Sequence, residues 1–226
     1  MLRVNAFSSQ LRAEADSVWQ RVFSHSFITE LRDGLLPLEK FRYYVKQDYA
    51  FLLEFARCLG LATAKAEGLE TMQTLSSLLD SSLTIEVRML EGLGQKLRIS
   101  EQELHGSEPS PTNLAYTHHL LYVAYSGTLG EILSAMLPCM WSYQEIGDRI
   151  GNSSALRINR IYGEWCSTYT TEDYRELVQW YRNLLDRFAY GCGESIRNRM
   201  RTHYMLSSKY EYLFWDMAYA EEKWPI

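Results

Sequence analysis

The sequence predicts an all-α protein, and three observations lead there. Apolar residues recur at intervals of three and four along most of the chain, the spacing that gathers side chains on one helix face. No stretch alternates Val, Ile or Thr with polar residues in the manner of a half-buried strand. Only 5 prolines occur, and they punctuate the chain rather than fill it.

Taken in order, these patterns predict helices at roughly 8–24, 38–65, 69–98, 101–106, 112–127, 129–150, 155–169, 172–190, 193–204 and 206–221. Asp33-Gly34 reads as a turn, and Pro37 suits the first turn of the helix that follows. Pro109-Ser110-Pro111 marks a loop, with Pro111 able to occupy the first helical position. Gly151-Asn152-Ser153-Ser154 is a further break. The breaks are too short to separate domains and no solenoid repeat is visible, so residues 1–226 are expected to form a single domain around a common core.

The 226 residues are 46% hydrophobic, and 16 Tyr, 8 Phe and 6 Trp supply rings enough for a core and for a pocket lined by flat faces with polar tips. With 23 Lys+Arg against 28 Asp+Glu the chain is acidic, which argues against nucleic acid as a partner, since phosphate contacts dominate such affinity. The densest basic stretch, Arg197 to Arg201, reads as a solvated helix face. The longest apolar run, Leu120 to Leu137, holds Gly127, Gly130 and Glu131 and is no membrane span. The first residues lack the apolar core and cleavage site of a leader peptide, so a cytoplasmic protein is expected. Cys58, Cys139, Cys166 and Cys192 show no C-x-x-C spacing and are expected to be thiols.

Chemistry shows where an ionisable group interrupts an apolar stripe. Phe41, Val45, Asp48, Leu52, Phe55 and Leu59 share one face, and Asp48 falls inside it. A carboxylate buried there must be paired, hydrogen-bonded or protonated; a structural bond to a neighbouring helix is the alternative to a functional role. Tyr204, Ser207, Glu211, Phe214 and Ala218 form a second stripe that turns Glu211 inward, although Leu206, Tyr210, Leu213 and Met217 offer a competing core face. In the third, Ile132, Met136, Cys139, Tyr143 and Ile146, Pro138 leaves the Ser134 carbonyl without its helical donor and should kink the helix just before a cysteine. A free Cys is more often a small inert hydrophobe; here Tyr143 is one turn away and Tyr116 could close on the same pocket. No H-E-x-x-H, E-x-x-H, G-x-G-x-x-G, P-loop or G-x-S-x-G pattern occurs. A metal-free site of carboxylates, tyrosines and one thiol fits what remains.

Five blocks carry a resemblance: Phe41-x-Tyr43-Tyr44-x-x-Gln47-Asp48; Pro109-Ser110-Pro111-Thr112 with Tyr116 after it; Glu131-Ile132-Leu133-x-Ala135-x-Leu137-Pro138-Cys139-x-Trp141-x-Tyr143; Ile161-Tyr162-x-x-Trp165-x-x-Thr168-Tyr169; and Tyr210-Glu211-Tyr212-x-Phe214-Trp215-x-Met217-Ala218. In order and spacing they resemble the TenA (thiaminase II) family, in its cysteine-containing form, over nearly the whole chain. The resemblance implies a haem-oxygenase-like helical bundle without haem, no cofactor and no metal, commonly assembled as a homotetramer. It implies hydrolysis of 4-amino-5-aminomethyl-2-methylpyrimidine, and of thiamine, at the exocyclic methylene, giving the hydroxymethylpyrimidine recovered in thiamine salvage.

By the same resemblance Cys139 is the nucleophile, Glu211 the main acid/base, and Asp48 the carboxyl that anchors the pyrimidine. Tyr116, Tyr143, Tyr169, Phe51 and Tyr44 line the substrate site, with Tyr116 tuning Cys139 and Tyr169 or Phe51 stacking on the ring. The sequence departs from the family twice. Phe51 stands where members often have tyrosine, and Leu90 where many show E-x-x-x-H after the glutamate at 86, so Glu86 is read as structural. Two other readings remain: a non-catalytic pyrimidine-binding or regulatory protein of this fold, and a redox enzyme like the quinone-cofactor-forming members.

Overall fold

The computed structural model describes residues 6–226. Its elements are α1 (Phe7–Glu14), α2 (Asp16–Phe23), α3 (Ser26–Asp33), α4 (Leu38–Ala64), α5 (Leu69–Ser81), a π-helical turn (Ser82–Glu86), α6 (Val87–Lys96), α7 (Glu101–His105), α8 (Pro111–Ser126), α9 (Leu129–Ile150), α10 (Ser154–Ile158), α11 (Arg160–Thr168), α12 (Glu172–Gly191) and α13 (Glu194–Ala220). Among the described residues there is no strand, and no helix is long and apolar enough to cross a membrane.

Of the two prolines expected to begin helices, Pro111 takes its place as expected, whereas Pro37 stands just before α4 as its N-cap. Ser110 caps α8 by accepting from the Asn113 N–H at 3.3 Å, with Pro111 at the first position. Thr128 and Glu131 form a capping box at the head of α9. Glu131 also takes an ion pair from Arg199 at 2.6 Å, and Arg197 and Arg201 both bridge to Glu194, so the basic stretch is a surface helix laced with ion pairs.

Four boundaries differ from the sequence reading. The segment 8–24 breaks at Ala15 (φ −89°, ψ 1°), because its halves pack on different partners, α1 against α12 and α2 against α13. α3 is a helix the sequence reading passed over. Its cap is a histidine: His25 Nδ1 accepts from the Phe27 N–H at 3.1 Å. Its end is Gly34 at φ +70°, a left-handed conformation that glycine adopts without steric cost. Asn159 splits 155–169, its side chain capping α11. The break at 205 does not exist, for α13 runs unbroken for 27 residues; α9 continues through Pro138 as one helix, as its predicted span requires.

The core lies where α9, the central and most buried helix, is flanked by α12 and α13, while α4 packs on α5, α8 and α13. Around Trp215 the rings are continuous: it stacks on Tyr44 (centroids 5.3 Å apart, 15° between planes) and tilts against Tyr143 at 5.2 Å and Phe27 at 5.1 Å. Such pairs add to the area they bury, and they hold α4, α9 and α13 in register beside the site.

Candidate active site

α4 brings Asp48 inward as its stripe predicts, for Phe41, Val45, Asp48, Leu52, Phe55 and Leu59 are all buried. α13 resolves its two faces in favour of Glu211: Tyr204, Ser207, Glu211, Phe214 and Ala218 are buried, whereas Leu206 and Leu213 are exposed. The longer inward face wins because α13 is covered on that side by both α8 and α9. α9 contributes Cys139, half-buried, among neighbours that are nearly all buried.

The thiol is half-buried because it borders a cavity. Asp48, Cys139, Tyr143 and Tyr169 share its wall, together with Glu86 and Tyr174, and leucines with Phe55 and Met140 complete it. The cavity is narrow, about 30 Å³, with room for water but not for a six-membered ring. Tyr169 approaches α9 closely because position 147 is glycine: a Cβ there would meet the Tyr169 Cβ at 3.2 Å and its carbonyl carbon at 3.3 Å.

Asp48 and Glu211 are held by hydroxyls. Tyr44 donates to Asp48 Oδ2 at 2.9 Å, and is itself fixed by the Trp165 indole N–H at 3.1 Å and by the Tyr143 hydroxyl 3.2 Å away. Tyr116 donates to Glu211 Oε1 at 2.6 Å, and Ser142, on the turn after Cys139, donates to Oε2 at 3.3 Å. Tyr116 therefore serves Glu211; its hydroxyl makes no hydrogen bond to Cys139.

The electrostatics follow from burial. Desolvation pushes Asp48 up to about 7 against the lowering effect of Tyr44. It pushes Glu211 up to about 7 as well, opposed by Tyr116 and Ser142 and assisted by the charge of Asp48. Cys139 is raised well above the ordinary thiol value, first by burial and then by Glu211, Asp48 and Glu86. The resting sulfur is thus a thiol, and a base must take its proton before it attacks. Acids poised near neutrality suit that exchange.

Of the residues singled out from the sequence, Asp48, Cys139, Tyr143 and Tyr169 border the cavity, while Tyr44, Tyr116 and Glu211 stand behind its wall. Phe51 does not border it. It packs on Tyr116 (5.1 Å) and Phe214 (5.5 Å), so of the two rings expected to stack on substrate only Tyr169 borders the cavity. The residue set aside as structural, Glu86, belongs with the cavity residues. It borders the cavity, and burial together with Asp48 raises it to about 7. The signal was present: Ser82, Glu86, Leu90 and Leu93 share the three-and-four spacing that exposed Asp48.

Known proteins resemble this chain over nearly its whole length. The chain is 36% identical to an aminopyrimidine aminohydrolase of Halalkalibacterium halodurans over 97% of its own length and 98% of that protein's. It superposes on a TenA homologue from P. horikoshii OT3 with a TM-score of 0.87 and 34% identity, covering 96% of this chain and 99% of that one. A domain with a haem oxygenase-like fold from Shewanella denitrificans OS217, of unknown function, matches in fold alone, with a TM-score of 0.76 at 12% identity over 94% and 92% of the two chains. The profile of the TENA/THI-4/PQQC family matches residues 12–221. An all-α, haem oxygenase-like chain whose sequence and fold both match over nearly their full length belongs to the TENA/THI-4/PQQC family.

Proposed function

We propose that this chain is an aminopyrimidine aminohydrolase of the thiaminase II type. It replaces the amine of 4-amino-5-aminomethyl-2-methylpyrimidine by water, and accepts thiamine by the same chemistry. The observation that carries this reading is the meeting of Cys139 and Asp48 on one cavity wall with Glu211 close behind, in a chain more than a third identical to a curated aminohydrolase.

In this reading Asp48, steadied by Tyr44, grips the pyrimidine, and Tyr169 and Tyr143 face the ring. Glu211 takes the thiol proton of Cys139 and delivers it to a ring nitrogen as sulfur bonds to a ring carbon. The electron pair gained by the ring then expels the amine from its ammonium form as ammonia, with the C–N bonding electrons leaving on nitrogen and an exocyclic alkene left behind. Water adds its oxygen to the methylene and the C–S bond breaks; one of the two protons released, from the ring nitrogen and from water, re-forms the thiol, and the other passes through Glu211 to the departing ammonia, leaving Glu211 ionised. The products are hydroxymethylpyrimidine and ammonia. The cavity must widen to admit the ring, and that movement brings Glu211 into contact with it. We further propose that residues 1–226 act as one domain, in the cytoplasm and as a homotetramer; exposed Tyr122 and Tyr125 on α8 are apolar surface that a partner copy would cover.

The test is incubation with aminomethylpyrimidine while ammonia release is followed. Turnover supports the hydrolase; tight binding without turnover would favour a pyrimidine-binding or regulatory protein instead.

A further inference from the structure

The helix that carries Glu86 spends an irregular turn to present it. Leu75, Leu78 and Ser82 face inward at regular α-helical spacing. An uninterrupted α-helix would bring both 85 and 86 to the margins of that face. The π-helical turn Ser82–Glu86 instead winds more residues into one turn. Ile85 is thereby rotated out to 62% exposure, and the inward face resumes as Glu86, Leu90 and Leu93. An isoleucine is swung to solvent while a carboxyl comes to the cavity wall.

The charge balance of that wall is one-sided. Asp48 and Glu86 border the cavity and no Lys, Arg or His among the described residues does. Asp48 and Glu211 each accept hydrogen bonds from hydroxyls. The Glu86 carboxyl accepts no hydrogen bond and joins no ion pair among the described residues. A carboxylate in such surroundings is stabilised most by a cation brought to it. Both substrates carry one on the methylene, an ammonium in the aminomethyl compound and a thiazolium in thiamine, whereas the hydroxymethyl product is neutral.

We propose that Glu86 binds the cationic group carried on the substrate methylene, and so determines which substituents are accepted and why the product leaves. This rests on the reaction proposed above. Its elevation to about 7 by burial and by Asp48 is the cost of waiting without a partner, and the arriving cation holds it ionised.

The experiment compares Glu86→Gln and Glu86→Asp with the wild type. Kinetics are measured on aminomethylpyrimidine and thiamine, and the affinity for neutral hydroxymethylpyrimidine is measured by calorimetry. A charge-assisted contact predicts that Glu86→Gln raises KM for the cationic substrates roughly 10- to 100-fold, with product affinity changed less than about threefold and Glu86→Asp recovering part of the loss. Equal losses for cationic and neutral pyrimidines, or unchanged KM in an active enzyme, would overturn the assignment. A wild-type protein that neither binds nor turns over these pyrimidines would overturn the reaction itself, and this inference with it.

Discussion

The Tyr116 hydroxyl reaches Glu211 Oε1 across 2.6 Å, tying α8 to α13 behind the wall that carries Cys139. That short bond to an acid opposes the burial that raises its pKa. Tyr116→Phe should therefore move Glu211 further up, and the acid limb of the kcat/KM profile, which reports the ionised base, should shift to higher pH by about one pH unit. An unmoved limb would mean that Glu211 is not the base.

Glu211→Gln keeps the shape and the hydrogen-bond acceptor but cannot carry the proton. It should depress kcat by a larger factor than it weakens pyrimidine binding. Equal losses, read from steady-state rates beside calorimetric affinities, would mark Glu211 as a gripping group.

Cys139 borders open space, so exchanging its sulfur for oxygen disturbs little packing. Cys139→Ser should lower turnover on the order of a thousandfold with a melting temperature close to wild type. Activity that fell only in step with unfolding would remove the sulfur from the mechanism.

Asp48 titrates near 7 in the folded protein and near its ordinary 3.8 when unfolded. Between those values the native state holds a proton that the unfolded chain has released, so raising pH through the window costs stability, and the cost is complete above the folded pKa. Asp48→Asn should match wild type near pH 4 and exceed it at pH 8 by on the order of 1–3 kcal/mol. Thermal melts across that range check it; a difference that does not change with pH would contradict the buried, proton-holding carboxyl.

Gly147 lets Tyr169 lie against α9. Gly147→Ala would push that ring and should cost about 1–3 kcal/mol while raising KM. An unchanged melting temperature and KM together would show that the contact relaxes freely.

Asp48 illustrates what could be read in advance, since a carboxylate in a stripe of Phe, Val and Leu has to be explained whatever surrounds it. The same rule, applied to Ser82, Glu86, Leu90 and Leu93, would have kept the third acid; it was set aside as structural because Leu90 stands where the family pattern has a histidine. Glu211 lay beyond periodicity, because two faces of α13 are equally apolar on paper and only the cover provided by α8 and α9 selects between them. α3 escaped because it is short and its cap is a histidine.

By itself the sequence determined the helices, the inward set of Asp48 and the blocks that mark the family, for these depend on local spacing and local identity. The tertiary structure decided which acids share a wall with Cys139, which hydroxyl serves which carboxyl, and that these acids sit near neutrality. Those properties come from desolvation and from contacts between residues distant in the chain, such as Tyr116 with Glu211 and Trp165 with Tyr44, and they exist only once the helices have packed.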